Sequence, residues 1–165
     1  MTGAPAPSPA DGLRAVFRRV PAGVAVVAVD HDGERLGLTV SSLVSLSLEP
    51  PLVGLALARQ AALHEILRRA GAFAATFLPA GEEGARLAAH FARGVPPIAM
   101  WHNIRLREGR DPALPPQLAA AAGWLDCTLL SEQDAGDHTF FVARIDAADP
   151  GPAERAATHV AGRTE

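Results

Sequence analysis

The stretch Gly37–Leu52 (GLTVSSLVSLSLEPPL) constrains the fold of this chain more than any other part. Apolar and hydroxyl residues alternate along it until two prolines interrupt the run. A period of two predicts extended backbone, because a helix would space its apolar residues three and four apart. The hydroxyl residues expected on one side of the strand are Thr39, Ser41, Ser45 and Ser47, with Ser42 beside them. The apolar residues expected on the opposite side are Val40, Leu46 and Leu48.

Such a row of hydroxyl groups suits a ligand that needs many neutral hydrogen-bond donors, for example a phosphate that carries a polyol. An ordinary strand with one solvated face would show the same alternation. The pattern therefore predicts a strand, and it leaves two interpretations of the hydroxyl side open.

The rest of the chain predicts a mainly β protein. The segments with strand character are 23–29, 35–40, 43–48, 52–57, 73–78, 124–132 and 138–147, and those with helical character are 12–19, 63–70 and 82–92. Asp30–Gly33 predicts a hairpin turn, because Asp-Gly tolerates the positive φ angles that tight hairpins require. Many short strands without β-α-β alternation favour an antiparallel barrel of six or seven strands with Greek-key connections.

Composition excludes several classes of protein. A chain of 165 residues suits one domain, and we expect a mobile Pro/Ala-rich segment at 1–10 followed by a single domain at 11–165. A net charge of −3 argues against a nucleic-acid partner. The apolar runs are too short to span a membrane, and the first residues do not resemble a signal peptide, so we expect a cytoplasmic protein.

Familiar nucleotide and metal motifs are missing from the sequence. It contains neither GxGxxG nor a P-loop, so any bound nucleotide would lie on a barrel surface. A single cysteine, Cys127, rules out an internal disulfide. His90 and His102 lie at spacings that match no helical or hairpin ligand pair, so we expect no metal site.

The alternating stretch also carries a family resemblance. GLTVSS at 37–42, followed by SLSLEPPLV at 45–53, resembles the flavin reductase-like family, which has an FMN-binding split barrel. The resemblance continues in VPAGVAVVA at 20–28, AFAATFL at 72–78, WLDC at 124–127 and GDHT at 136–139. It implies an NAD(P)H-dependent reductase of FMN or FAD that supplies a partner monooxygenase. A homodimer is predicted separately, from the number of strands and from the apolar residues Ile98, Met100 and Trp101, which a monomer would leave exposed. Met100 and Trp101 fit either the lid of a pocket or part of the dimer contact.

The resemblance assigns roles to individual residues. Thr39, Val40, Ser41 and Ser42 would lie along the ribityl chain and phosphate of the flavin. The backbone of Ser45, Leu46 and Ser47 would bond its pyrimidine edge, and Pro51 would shape the wall. Gly136 and Asp137 would lie near the flavin. His138, which would lie between flavin and nicotinamide, is the candidate catalytic residue, although a turn histidine without a catalytic role fits the pattern equally well.

Two departures from the family pattern bear on function. Hydroxyl residues expected just before the second helix are replaced by Ala61, Ala62 and Leu63, which leaves Arg59, His64 and the helix N–H groups to hold a phosphate. Arg59 is equally compatible with a solvated surface position. The segment 158–163 retains only a Gly-Arg pair of the aromatic-flanked ending typical of relatives.

These departures predict weak flavin binding. They also leave an alternative function open, in which a non-redox member of the fold has lost tight flavin binding. Such a protein would bind or cyclise a small apolar metabolite in a biosynthetic pathway.

Overall fold

A computed structural model describes residues 8–92 and 96–165 of the chain. Its helices are α1 (Pro9–Phe17), α2 (Ala62–Ala70), α3 (Glu82–Ala92) and α4 (Pro97–Met100). Its strands are β1 (Ala22–Gly23), β2 (Ala25–His31), β3 (Glu34–Val40), β4 (Leu43–Leu48), β5 (Pro51–Ala58), β6 (Ala72–Phe77), β7 (Gly123–Ala135), β8 (His138–Pro150), β9 (Thr158–Val160) and β10 (Arg163–Thr164).

Seven strands form one antiparallel sheet in the order β3-β2-β6-β7-β8-β5-β4. The connection from β5 to β6 passes over β8 and β7, which gives the sheet Greek-key character. The two edge strands, β3 and β4, are consecutive in the chain and are separated by Ser41 and Ser42 alone. Because so short a connection brings both edges together, the sheet must curve towards closure. The predicted mainly β barrel is confirmed.

Local turn chemistry agrees with the sequence predictions. In the β2–β3 hairpin, Asp32 and Gly33 both have positive φ angles of 51° and 81°, as a two-residue hairpin turn requires. Gly71 ends α2 in the left-handed conformation, with φ of 65°. The predicted bounds of α3 and β4 are those observed.

The core lies on both faces of β2. Ala25, Val27 and Val29 belong to the larger apolar cluster inside the barrel, together with side chains from β5, β6, β8 and α2. Val24 and Val26 face a second cluster against α3 and the segment that follows it. Burial on both faces explains why β2 is a continuous apolar run rather than an alternating one.

Several elements differ from the predictions. Helix α1 begins at Pro9, within the segment predicted to be mobile, because Ser8 caps it and Pro9 suits the first helical position. Residues 1–7 of that segment lie outside the described residues. Strands β1, β9 and β10 form a small second sheet that the sequence did not indicate. Both β7 and β8 are 13 residues long and extend beyond their predicted ends.

Candidate functional site

The β7–β8 turn lies beside the end of β5. Ala58 pairs with His138 across the two strands, and the Arg59 N–H donates to the Asp137 carbonyl at 3.1 Å. Gly136 occupies the turn with φ of 69°, a conformation that glycine adopts without strain. The sheet therefore brings the Gly136–His138 segment to Arg59 and close to the start of α2.

His138 is a partly exposed acid–base group of this cluster. Its Nδ1 lies 2.7 Å from Asp137 Oδ1, and its side chain is 42% exposed. The hydrogen bond from His138 is the main reason that the pKa of the Asp137 carboxyl is lowered. Because a carboxylate accepts only, Nδ1 carries the proton and Nε2 remains the free ring nitrogen.

The guanidinium of Arg59 is paired with a carboxylate rather than left available to a ligand. Its guanidinium lies 2.9 Å from Asp134, on the β7 side of the turn. Sequence reasoning missed Asp134, because nothing in the turn sequence shows that β7 continues far enough to place this carboxylate opposite Arg59. The carboxylates around the turn also have cations beside them, because Arg14 acts on Asp137 and Arg68 lies 3.5 Å from Glu65.

His64 faces the protein interior. Its Nε2 lies 2.8 Å from the Thr139 hydroxyl, and its ring packs against Phe141 with centroids 5.5 Å apart. The imidazole is buried. This geometry suits a residue that positions β8 next to His138, and it differs from the phosphate donor that we expected.

The hydroxyl stretch does not form one continuous strand. Strand β3 ends at Val40 and β4 begins at Leu43, and the register against β5 shifts between Ser45 and Ser47, so that Leu46 is the extra residue of a bulge. The expected single row of hydroxyls is therefore wrong. The physical reason is that β3 pairs with β2 whereas β4 pairs with β5.

Two of these hydroxyls bond the protein itself. Thr39 donates to the Ala88 carbonyl at 2.7 Å, which ties β3 to α3. Ser42 donates to the Ala56 carbonyl at 2.6 Å and so lies beside β5, near its His138 end. Each oxygen still has lone pairs that can accept a further hydrogen bond. Ser41 and Ser45 are exposed, and Val40 lies in the core.

The predicted site residues fall into two groups along β5. Ser42, Arg59, His64 and the Gly136–His138 segment lie at its carboxyl end. The second group, Ser45, Leu46, Ser47 and Pro51, lies along β4 and at the start of β5. Pro51 and Ala58 are separated by about 23 Å at 3.3 Å per residue, so Pro51 and His138 cannot contact the same ring.

An apolar cavity opens beside the start of α2. It has a volume of about 280 Å³, and its wall includes Leu36, Leu38, Ala61, Ala62, Phe91 and Met100. Ala61 is the N-cap of α2 and makes no side-chain cap hydrogen bond. Leu63 is only 2% exposed and belongs to the barrel core as well. The Pro96-Pro97 pair completes the wall, and the clustered apolar residues that follow it were the sequence signal for a lid.

The segment around Met100 is fixed against β3. The Gly37 N–H donates to Met100 Sδ at 3.1 Å, and Trp101 Nε1 donates to the Arg35 carbonyl at 3.0 Å. His90 Nε2 lies 2.7 Å from the Met100 carbonyl. Met100 and Trp101 were expected to form either a pocket lid or a dimer contact, and Met100 lines the cavity while being only 6% exposed.

The cysteine is not a nucleophile. Burial, reinforced by Asp126 and Asp146, raises the pKa of the Cys127 thiol to about 12. A thiol of this kind stays protonated at neutral pH and lies inside the barrel core.

The described residues contain no group of three or more His, Cys, Asp or Glu placed to hold a metal ion. None of the helices in residues 8–92 and 96–165 has the length and apolar character needed to cross a bilayer.

Comparison with known proteins places this arrangement in a family. Residues 17–163 match the model of the flavin reductase like domain. The solved structure of the NADH:FAD oxidoreductase SgcE6 of Streptomyces globisporus C-1027 is similar, with a TM-score of 0.86 and 32% identity, covering 99% of this chain and 98% of that one.

Two curated relatives are similar over most of their length. The reductase component of a 4-hydroxyphenylacetate 3-monooxygenase from Thermus thermophilus is 35% identical over 141 residues, covering 86% of this chain and 85% of that protein. An actinorhodin polyketide dimerase from Streptomyces coelicolor is 36% identical over 135 residues, covering 81% and 72%. The chain belongs to the flavin reductase-like family.

Proposed function

We propose that this protein uses NADH or NADPH to reduce FMN or FAD and releases the reduced flavin to a partner monooxygenase. The observation that carries the proposal is the full-length similarity to an NADH:FAD oxidoreductase, at a TM-score of 0.86. The relative named as the reductase component of a monooxygenase supports the role of supplier. The cytoplasmic location expected from the sequence is part of the same proposal, and cell fractionation would test it.

The residues present suit the flavin ring better than a terminal phosphate. Strand β4 lies at an edge of the sheet, so the backbone groups on its outer side are available to the pyrimidine edge of the ring. Ser42, in the connection that precedes β4, and His138, at the start of β8, offer side-chain partners. At the start of α2, by contrast, Ala61 and Ala62 offer no side-chain donor for a phosphate dianion.

The proposed reaction requires the protein to position the two rings, and it requires no protein nucleophile. When bound, the flavin accepts a hydride from the nicotinamide, which requires stacked rings and the exclusion of water. His138 would orient the nicotinamide or the flavin through its free Nε2, while Asp137 fixes the tautomer through Nδ1. His64 would hold β8 in place through Thr139.

Two substitutions separate binding from turnover. Ser42→Ala should raise the KM for flavin with little change in kcat, because it removes an interaction made equally before and during the reaction. His138→Ala should lower turnover or nicotinamide affinity instead. Anaerobic stopped-flow reduction measures the two effects separately. If His138→Ala leaves both unchanged, the histidine belongs to the turn alone.

A second candidate function is the non-redox one. The apolar cavity beside Ala61 and Ala62, together with the relative named a polyketide dimerase, favours a protein that binds or joins a small apolar metabolite. Visible absorbance of the purified protein titrated with FMN and FAD discriminates between the two candidates. Unchanged flavin spectra up to millimolar flavin would favour the non-redox protein.

A further inference from the structure

We propose that the apolar cavity beside α2 receives the adenine ring of FAD, so that the protein selects FAD over FMN. This inference rests on the proposed function, because it presumes that a flavin is the molecule reduced. It specifies which end of which flavin the cavity accommodates, a question that the overall fold leaves open.

The start of α2 is unfavourable for the phosphate end of FMN. A phosphomonoester has a second pKa of about 6 and is mostly a dianion at neutral pH, so it requires charge-assisted donors. Arg59, the nearest cation along the chain, lies 2.9 Å from Asp134 and is already neutralised. Asp137 lies beside the end of β5 and would repel the dianion, whereas Glu65 in the first turn of α2 lies 3.5 Å from Arg68.

The same surroundings tolerate the pyrophosphate of FAD. Each of its phosphorus atoms carries one negative charge rather than two, and the first N–H groups of α2 are backbone donors without helical partners. The nine residues of α2 give it a dipole that favours a singly charged group at this end. The molecule then continues into an apolar ring instead of ending in a dianion.

The cavity matches a planar ring in chemistry and size. Its wall combines Phe91, Met100 and the Pro96-Pro97 pair with Leu36 and Leu38 of β3. Its volume of about 280 Å³ lies just below the roughly 300–1,000 Å³ of pockets for drug-sized ligands, which suits one bicyclic ring rather than a whole dinucleotide.

The cavity also lies within reach of the ring site. Ala58 pairs with His138 across the sheet. Ala61 follows Ala58 by three residues, so the Cα atoms of Ala58 and Ala61 are at most about 11 Å apart. A ribityl chain and a pyrophosphate bridge that separation easily. An FAD molecule whose flavin ring lies beside His138 would therefore place its adenine ring in the cavity.

The test compares FAD, FMN and riboflavin in the wild-type protein at saturating NADH. We expect kcat/KM for FAD to exceed that for FMN by at least about tenfold, because only FAD buries a second aromatic ring. Ala62→Trp, at an exposed position on the cavity wall, should lower the FAD value to no more than that of FMN in the wild type and leave riboflavin, which has neither phosphate nor adenine, unchanged. Ala148→Trp, exposed at the far end of β8, is the matched control and should change nothing.

Several results would overturn the inference while the reductase stands. These are equal or better use of FMN by the wild type, a uniform loss for all three flavins in Ala62→Trp, and a rise in the KM for NADH alone in that variant. The comparison of FAD with FMN in the wild type needs no variant, so it still tests the proposal if Ala62→Trp fails to fold. If none of the flavins is reduced, the proposed function fails instead, and dissociation constants for FAD and FMN still decide whether the cavity binds adenine.

Discussion

Ala61 is a residue at which this chain departs from the family pattern that it otherwise resembles. It holds the N-cap position of α2 with extended backbone, φ −67° and ψ 134°, but it has no side-chain oxygen to accept a helix N–H. Alanine is among the poorest residues at an N-cap, because it leaves one more donor unsatisfied. The cap residue and the opening residue Ala62 instead form part of an apolar wall.

Ala61→Ser should therefore stabilise the protein. We expect the free energy of unfolding to rise by about 1 kcal/mol, since serine at an N-cap accepts an otherwise unpaired backbone N–H. Urea denaturation followed by circular dichroism measures the change. Ala62→Ser, one residue further along, is the control and should bring no gain. Equal or lower stability of Ala61→Ser would show that the helix does not begin where we place it.

The Asp137–His138 pair predicts a pH dependence. The hydrogen bond from His138 lowers the pKa of Asp137 below its ordinary value of 3.8. The contribution of this hydrogen bond to stability is thus present above pH 3.8, and it is lost as the pH falls through the lower pKa that Asp137 has in the folded protein. In His138→Ala the pKa of Asp137 should rise towards the ordinary value, which carboxyl-carbon NMR titration would detect. An unchanged pKa would mean that the two side chains do not interact in solution.

At the scale of single residues, the sequence predicted part of the site. The loss of hydroxyls at 61 and 62 was visible, and so was the segment that contains His138. The sequence did not show that Leu63 belongs to the core or that His64 turns inward, because both depend on how α2 packs against the barrel. A threonine at position 63, which the family pattern suggests for phosphate binding, would be a core substitution in this chain.

At the scale of elements, turn chemistry was predictable and strand pairing was not. The Asp-Gly turn and the Gly71 helix end follow from local backbone preferences. The break at Ser41-Ser42 agrees with the separate strands predicted at 35–40 and 43–48, but the change of pairing partner from β2 to β5 carries no signal in the sequence. Short strands such as β1 and β10, two residues each, carry no periodic signal at all.

Gly84 in helix α3 allows the effect of packing on stability to be compared with the effect of helix propensity. A Cβ added to Gly84 would lie 1.8 Å from the Pro79 carbonyl oxygen, so the backbone would have to shift. Gly84→Ala should lower the free energy of unfolding by about 1–3 kcal/mol, although alanine is the better helix former. Gly12→Ala in α1, where nothing lies within 4 Å, is the matched control and should be neutral or stabilising. Chemical denaturation of both variants checks the prediction, and a stabilised Gly84→Ala would contradict the packing of α3 on Pro79.

At the scale of the whole molecule, exposed apolar residues indicate a partner surface. Leu13, Val16 and Phe17 are exposed at helical spacing along α1, no residue of that helix is buried, and Val20, three residues beyond its end, is exposed as well. Ile98 is 96% exposed. Patches of this kind on a soluble domain mark protein interfaces, and a second copy is the simplest partner. Met100 and Trp101, which we first counted in this surface, pack against β3 instead.

We predict a homodimer that depends on α1. Sedimentation at micromolar concentration should give about twice the chain mass of 17.2 kDa. Phe17→Glu should shift the equilibrium to the monomer, because it places a charge in the apolar stripe, while Leu114→Glu, on an exposed residue outside α1, should not. A wild-type protein that sediments as a monomer would exclude the dimer.

The most direct test of the central claim is the anaerobic reduction of flavin by the purified protein. NADH or NADPH is mixed with FAD, FMN or riboflavin, and the visible absorbance of the oxidised flavin is followed with and without protein. The account predicts bleaching that requires both the protein and the nicotinamide, at a rate proportional to protein concentration. Absorbance that stays unchanged with every combination of nicotinamide and flavin would contradict the proposed reductase.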